Sequence, residues 1–323
     1  MIQRFFISTV FLLLTFNMYG QSARIIVAKD GSGEFANVQD AINAVPDFRK
    51  ETTTIFIRRG VYKEKLILPA TKTNVRMIGE SVDEVILTYG DFASKLNRFG
   101  ENIGTSGSAS FFIHGEGFTA ENITFENSAG PVGQAVAVRV ASDKVKFINC
   151  KFLGFQDTLY TWGYGASSRQ YYKNCYIEGT VDFIFGSSTA VFDECHIFGK
   201  KGGGYLTAAS TPDTSAYGYV FLNCKIDGDA PPESFYLGRP WRPFAKTAFI
   251  NCQMSEIIKP EGWNNWQNPK NEETTFYSEY KSKGKGSNEL KRVRWSYQLS
   301  EKDLKEFTVN KVFKSWDVAA NGY

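Results

Sequence analysis

The chain has 323 residues, enough for one large domain or two small ones, and its 37 Lys and Arg against 34 Asp and Glu give a formal net charge of +3. So small an excess falls short of a nucleic-acid footprint and fits at most a mild preference for an acidic polymer. Two histidines, His114 and His196, leave few options for a Ser-His-Asp triad or a multi-histidine metal site, which turns attention to carboxylates.

The first residues, MIQRFFISTVFLLLTFNMYGQS, set Arg4 ahead of an apolar run from Phe5 to Phe16, with Gly20 before a polar stretch. That reads as a cleavable export signal over residues 1–20, with one mature domain over 21–323. The run is too short to cross a bilayer comfortably, and no later stretch approaches about 18 consecutive apolar residues. The mature chain is therefore expected outside the cytoplasm, secreted or periplasmic, with no membrane contact. Next, Asn37 to Val45 (NVQDAINAV) has apolar residues at helical spacing and is stopped by Pro46, as a helix capping the open end of a solenoid would be.

From about residue 120 one phrase recurs. VKFINCKF ends at Phe152, YYKNCYI at Ile177, VFDECHI at Ile197, YVFLNCKI at Ile226 and AFINCQM at Met254, and NITFENS, ending at Ser128, is read as a copy with serine in the cysteine slot. All five cysteines lie in it, at spacings of 25, 20, 29 and 28 residues. Each phrase alternates apolar and polar residues and is rich in Val, Ile, Phe and Tyr, so it predicts one strand per coil of a parallel β-helix. Stacked about 4.8 Å apart, the cysteines then form an inward ladder of small apolar side chains. No CxxC-like pair marks a metal site, and an odd count argues against full disulfide pairing, although Cys175 and Cys195 are near enough in sequence to bridge. His114 and His196 fall in predicted strands and are read as structural. Gly202 to Gly204 lacks the spacing of a phosphate-binding loop and is read as a tight turn or a low wall. Beyond about residue 255 the pattern loosens into a Trp- and Lys-rich tail, with a short helix capped by Ser300 ahead of Glu301, Asp303 and Leu304. No linker divides the chain.

With the cysteines as register marks, Asp157 lies seven residues after Cys150 and Asp182 seven after Cys175. Matching coils put the two carboxylates one above the other, where they cannot both ionise freely; one pKa is expected to rise and the other to fall. The alternative is coincidence, with both aspartates in turns. Asp182 is flanked by Val181, Phe183, Ile184 and Phe185, a costly place for an acid that is neither paired nor used. Arg239 is a candidate partner for it. Gln156 adjoins Asp157, and Gln134, six residues after Ser128, is expected near the same arc one coil earlier; their amides are candidate donors to a developing oxyanion.

These segments resemble the pectin methylesterases, or pectinesterases. GVYKE (Gly60 to Glu64), ITFENSAGP (Ile123 to Pro131), QAVAVRV (Gln134 to Val140), GFQDTLY (Gly154 to Tyr160), GTVDFIFG (Gly179 to Gly186), YLGRPW (Tyr236 to Trp241) and PEGWNNW (Pro260 to Trp266) run in family order across roughly residues 25–320. The stretch TWGYGASSRQYY between the two aspartates resembles bacterial members. The resemblance implies an all-β, single-stranded right-handed parallel β-helix of the pectin-lyase-like kind, with an N-terminal helical cap, a C-terminal tail and a surface groove. It implies Asp182 as nucleophile, Asp157 as general acid then base, Gln134 and Gln156 as oxyanion donors, and Arg239 positioning Asp182. Trp241, Tyr160, Phe185 and Tyr236 match sugar-binding positions, although the latter three serve packing equally well. Methyl-esterified polygalacturonate is the implied partner, with no metal, no organic cofactor, no nucleic acid and a monomeric enzyme. Paired carboxylates also serve glycoside hydrolysis, and a non-catalytic polysaccharide-binding β-helix is a second alternative.

Overall fold

In a computed structural model of the protein, which describes residues 24–163 and 168–319, the cysteine-marked phrase is a corner joining two strands rather than one strand. The expected export signal lies outside the described residues. Strands Val145–Ile148 and Lys151–Leu153 flank Asn149 and Cys150, and Leu159–Thr161 completes the turn of chain. Arg169–Lys173, Tyr176–Gly179 and Val181–Gly186 form the next coil, and each strand pairs in parallel with its equivalent. Three strands per coil, not one, build parallel sheets of eleven, eight and seven strands in a right-handed parallel β-helix.

The corner explains the phrase. The residue before each cysteine, Asn149, Asn174, Glu194, Asn223 or Asn251, has φ between 51° and 54°, the left-handed region that asparagine tolerates best among residues with a Cβ. The following cysteine turns inward and is 1 % exposed, and all five thiols are free. Each donates to a carbonyl of the preceding coil, as Cys224 Sγ does to Phe192 O at 3.2 Å.

Beside the thiols runs an aromatic file, Phe147, Tyr172, Phe192, Phe221 and Phe249, with successive ring centroids 5.1, 4.7, 4.5 and 4.3 Å apart. Equal register on successive coils forces such stacking, and each pair adds about 0.5–1.5 kcal/mol beyond burial. Tyr172 Oη donates to Gln170 Oε1, so the one hydroxyl in the file is satisfied.

The N-terminal end carries the expected helix, and the C-terminal tail carries the expected short capped one. Helix Val38–Ala44 buries Val38, Ala41 and Ile42 against the first coils, and the carboxylate of Glu64 accepts from the N–H groups of Val38 and Gln39 at its start. Ser300 and Asp303 form a capping box on helix Glu301–Leu304, followed by helix Val309–Phe313. Val312, Phe313 and Trp316 lie on the outer face of the eleven-stranded sheet against Val191, Val220 and Ala248. Among the described residues no helix is long and apolar enough to cross a membrane. His196 begins strand His196–Gly199 and pairs with Asp227, whereas His114 follows strand Phe111–Ile113 rather than lying in it. Gly202 takes φ +88 in a turn, as expected of the glycine run.

Candidate active site

On the outer face of the seven-stranded sheet, register aligns Phe112, Arg139, Tyr160, Phe185, Ala208 and Arg239 in one column across six coils. A cavity of about 360 Å³ opens beside it. Asp157, Asp182, Gln134, Gln156 and Arg239 all line it, together with Tyr160, Phe185 and Trp241.

A β-bulge delivers Asp182 to that cavity. Pairing of Val181–Gly186 with Tyr205–Ala209 slips by one residue between Val181 and Ile184. Strict alternation would turn Asp182 inward if Ile184 faces the core. The extra residue lets Phe183 and Ile184 both enter the core while Asp182, at φ 51°, comes out. Asp157 reaches the same face from φ 67°, and its N–H donates to Val181 O at 3.1 Å, which holds the two coils in register.

The carboxylates are 7 % and 6 % exposed, yet their surroundings differ. Arg239 donates to both oxygens of Asp182, Nε to Oδ1 at 2.9 Å and Nη2 to Oδ2 at 2.7 Å. The guanidinium is itself sandwiched, 3.8 Å from the Tyr205 ring centre and 3.7 Å from that of Trp266. Burial pushes Asp157 well above the ordinary carboxylate range, and the charge of Asp182 pushes it further, with Arg239 opposing. Burial also raises Asp182, but the hydrogen bonds and charge of Arg239 draw it back. The expected fall of one pKa therefore does not occur: both rise, because desolvation outweighs the ion pair. Asp157 is nevertheless raised further than Asp182, since the guanidinium favours the anion at Asp182, so of the two it is Asp157 whose acid form is favoured.

The expectation for Gln134 holds in place but not in reasoning. Lys151 pairs with Thr124, so Ile123, not Ser128, occupies the cysteine slot. Gln134 lies eleven residues beyond that slot and Gln156 only six beyond Cys150, yet the two are bridged in parallel on adjacent coils. The additional residues loop out before Gln134.

Tyr160 and Phe185 stack at 4.2 Å, and Trp241 meets them edge-on at 6.2 and 5.8 Å. Tyr236 is not part of the cavity lining; it stacks on Tyr205 at 5.3 Å, three residues before the column residue Arg239 on the same strand. Trp266, Thr105 and Ser106 line the cavity without having been singled out. Trp266 carried a signal, an asparagine-rich turn: Asn264 and Asn265 accept from the N–H groups of Trp266 and Gln267, at 2.8 and 2.9 Å, and hold both in the left-handed region. Thr105 and Ser106 sit in the single turn Gly104–Gly107, which nothing in the sequence marks. Among the described residues no group of three His, Cys, Asp or Glu side chains is placed to hold a metal.

Residues 24–315 match the family model described as Pectinesterase. The chain is 42% identical over 287 residues to pectinesterase 31 of Arabidopsis thaliana, covering 87% of this chain and 89% of that one. The structure of pectin methylesterase from carrot aligns with a TM-score of 0.80 at 34% identity, covering 90% of this chain and 92% of that one. A pectin methylesterase in complex with a hexasaccharide aligns with a TM-score of 0.80 at 29% identity, covering 92% and 98%. Other plant relatives, named pectinesterase/pectinesterase inhibitor, are longer; the chain spans 51% of the one from Brassica napus. With its fold and nearly its whole described length matched, the chain belongs to the pectinesterase family of carboxylic ester hydrolases.

Proposed function

We propose that the protein hydrolyses the C6 methyl esters of polygalacturonate, releasing methanol and leaving free galacturonate in an uncut chain. The observation that carries this reading is the asymmetric pair: an arginine-bound carboxylate beside a second one that burial drives toward its acid form, in a cavity that two glutamines share. Such a pair supplies a nucleophile and an acid at neutral pH without a third ionisable group.

An oxygen of Asp182 attacks the ester carbonyl carbon; each of its oxygens keeps a lone pair beyond the one Arg239 uses. Charge collects on the carbonyl oxygen, where the amides of Gln134 and Gln156 donate to it. The C–O bond to the methoxy group breaks as Asp157 gives up its proton, and methanol leaves. An anhydride then joins Asp182 to the uronate. Asp157, now ionised, takes a proton from water, the hydroxide attacks the uronate carbonyl, and Asp182 departs as carboxylate. Arg239 keeps Asp182 charged for attack and makes it a good leaving group. The rings of Tyr160, Phe185 and Trp241 offer apolar surface for sugar faces. The solved relative bound to a hexasaccharide supports an oligosaccharide in this groove. A polymeric substrate and the apolar leader support action outside the cytoplasm, secreted or periplasmic after loss of residues 1–20, by a monomer that needs no partner chain to complete the site.

Incubation with highly methylated pectin, following methanol and polymer length together, is expected to give methanol without shortening. Shortening without methanol would mean a glycosidase built on the same pair, and neither product would mean a binding module.

The Trp266 side chain is expected to act through Arg239. Trp266→Ala removes one face of the sandwich, so Arg239 holds the Asp182 anion less firmly and the Asp182 pKa rises. The acidic limb of the kcat–pH profile should then move to higher pH and kcat fall about thirtyfold, consistent with loss of a desolvated cation–π contact of about 2 kcal/mol. Trp266→Phe should restore most of both; an unmoved acidic limb would show that Trp266 serves only substrate stacking.

A further inference from the structure

The lysine pair ahead of Gly202 to Gly204 lies outside the cavity, yet one of the two reaches the cavity wall from behind. Between strands Lys151–Leu153 and Leu159–Thr161 runs the arc that holds Gln156 and Asp157. Its start departs from the ladder. By the step that sends Tyr176 N to Cys150 O at 2.9 Å, Thr180 N would bond Gly154 O; it bonds Phe155 O instead, at 3.0 Å. On the next pair of coils no slip occurs: His196 N bonds Cys175 O and Lys200 N bonds Gly179 O by the same step, both at 2.8 Å. Thr180 thus passes over the Gly154 carbonyl, just ahead of the left-handed Asp157 at φ 67°.

Lys200 takes up that carbonyl. From the end of strand His196–Gly199, two coils on, its Nζ donates to Gly154 O at 3.1 Å and lies 3.6 Å from the ring centre of Phe155. The same ammonium donates to Glu178 Oε1 at 2.7 Å, and Tyr176 Oη donates to Glu178 Oε2 at 2.9 Å, so the anion that aims the lysine is itself held. The backbone is fixed as well, Lys200 N by Gly179 O and Lys201 N by Asp229 Oδ1 at 2.7 Å. A half-buried ion pair with Glu178 is the plain account of this lysine. It leaves unexplained why the two further contacts fall on Gly154 and Phe155, the residues at the slip and directly before Gln156 and Asp157.

We propose that Lys200 is a positioning residue for Gln156 and Asp157: aimed by Glu178, it locks the slipped peptide at Gly154 and Phe155 and so fixes the arc from which both side chains enter the cavity. This rests on the esterase reading above and extends it to a residue that does not line the cavity and acts through the backbone. A left-handed aspartate persists only where its surroundings hold it, and a displaced acid or amide donor loses rate steeply.

The test compares kcat, KM and the pH profile of methanol release from methylated oligogalacturonate in Lys200→Met, which keeps the stem and removes the ammonium, and in Lys200→Arg, which keeps the charge. Lys200→Met should lower kcat about tenfold with KM within about twofold of the unaltered value. Burial is the main cause of the raised pKa of Asp157, so an arc that loosens and admits water lowers it. The alkaline limb of the kcat profile should therefore move to lower pH. Lys200→Arg should recover most of both. Phe155→Leu leaves the ion pair and removes the face beneath the ammonium; it should lower kcat about threefold with a shift in the same direction, and it decides the matter if Lys200→Met does not fold. A lower Tm with kcat and the alkaline limb unmoved would overturn the proposal and leave Lys200 as a plain ion pair. A raised KM with kcat unmoved would overturn it in favour of direct contact with the polymer. No methanol from the unaltered protein would instead overturn the esterase reading, and this proposal with it.

Discussion

Asp182→Asn is expected to lower kcat for methanol release by about 10⁴-fold or more, because the amide that replaces the carboxylate is a poor nucleophile and cannot form the anhydride. Asp157→Asn should cost about 10²–10⁴-fold, the usual worth of a positioned general acid, and should remove the alkaline limb of the pH profile. The two substitutions should part company in stability. Asp157 has a folded pKa raised above its unfolded value by burial and by Asp182. The stability it contributes is therefore full below the ordinary aspartate range and is lost as pH rises through its folded value. Asn resembles the protonated acid, so Asp157→Asn should melt above the unaltered protein at neutral pH and level with it in acid. Asp182→Asn removes the charged partner of a half-buried arginine and should melt lower. Methanol release and thermal melting across pH check both statements. An Asp157→Asn protein no more stable at pH 7 than at pH 3, relative to the unaltered chain, would refute a protonated Asp157.

Gly179→Ala is expected to damage fold and activity together. Gly179 ends the strand that precedes Asp182 in its own coil, in register with Gly199 and, through it, Gly228. A Cβ at position 179 would stand 2.2 Å from Phe183 Cβ and 2.5 Å from Phe155 O. Phe183 is the core residue of the bulge that turns Asp182 outward, and Phe155 is two residues before Asp157. Neither is the far end of a flexible side chain, so backbone must move on both sides. Overpacking of this kind costs about 3 kcal/mol, on the order of 5–10 °C in Tm for a chain of this size. The accompanying loss of carboxylate alignment should reduce kcat about a hundredfold even at temperatures where the variant stays folded. Melting and kcat measured on the same preparation separate the two effects. A variant that melts low yet keeps full kcat would show that the bulge does not depend on this glycine.

Much of this site was legible because the solenoid repeats. Cysteine at a fixed corner numbers the arc, and seven residues on from two successive corners stand Asp157 and Asp182. Counting works there since both coils have the same length between corner and site. It fails for Gln134, whose coil carries a loop, and it chose Ser128 where pairing chooses Ile123, because a polar residue resembling cysteine is a weaker mark than a buried apolar one. Sequence also missed the corner itself: a strand pattern runs through Asn149-Cys150 without a break, and only the left-handed φ of the asparagine reveals two sheets where alternation suggests one. The stacking of Tyr205 and Trp266 on Arg239 was out of reach for a different reason. They are 61 residues apart and meet only through the guanidinium between them, a contact no periodicity encodes.

The file of free thiols has a consequence for where such a chain can mature. Cys150, Cys175, Cys195, Cys224 and Cys252 contribute to the interior as small apolar side chains, and burial raises the thiols of Cys175 and Cys224 well away from the reactive thiolate form. No covalent cross-link has to be made or kept for the coils to stack. The stability of the folded domain is thus expected to depend little on whether its surroundings are oxidising or reducing, because no disulfide contributes to it.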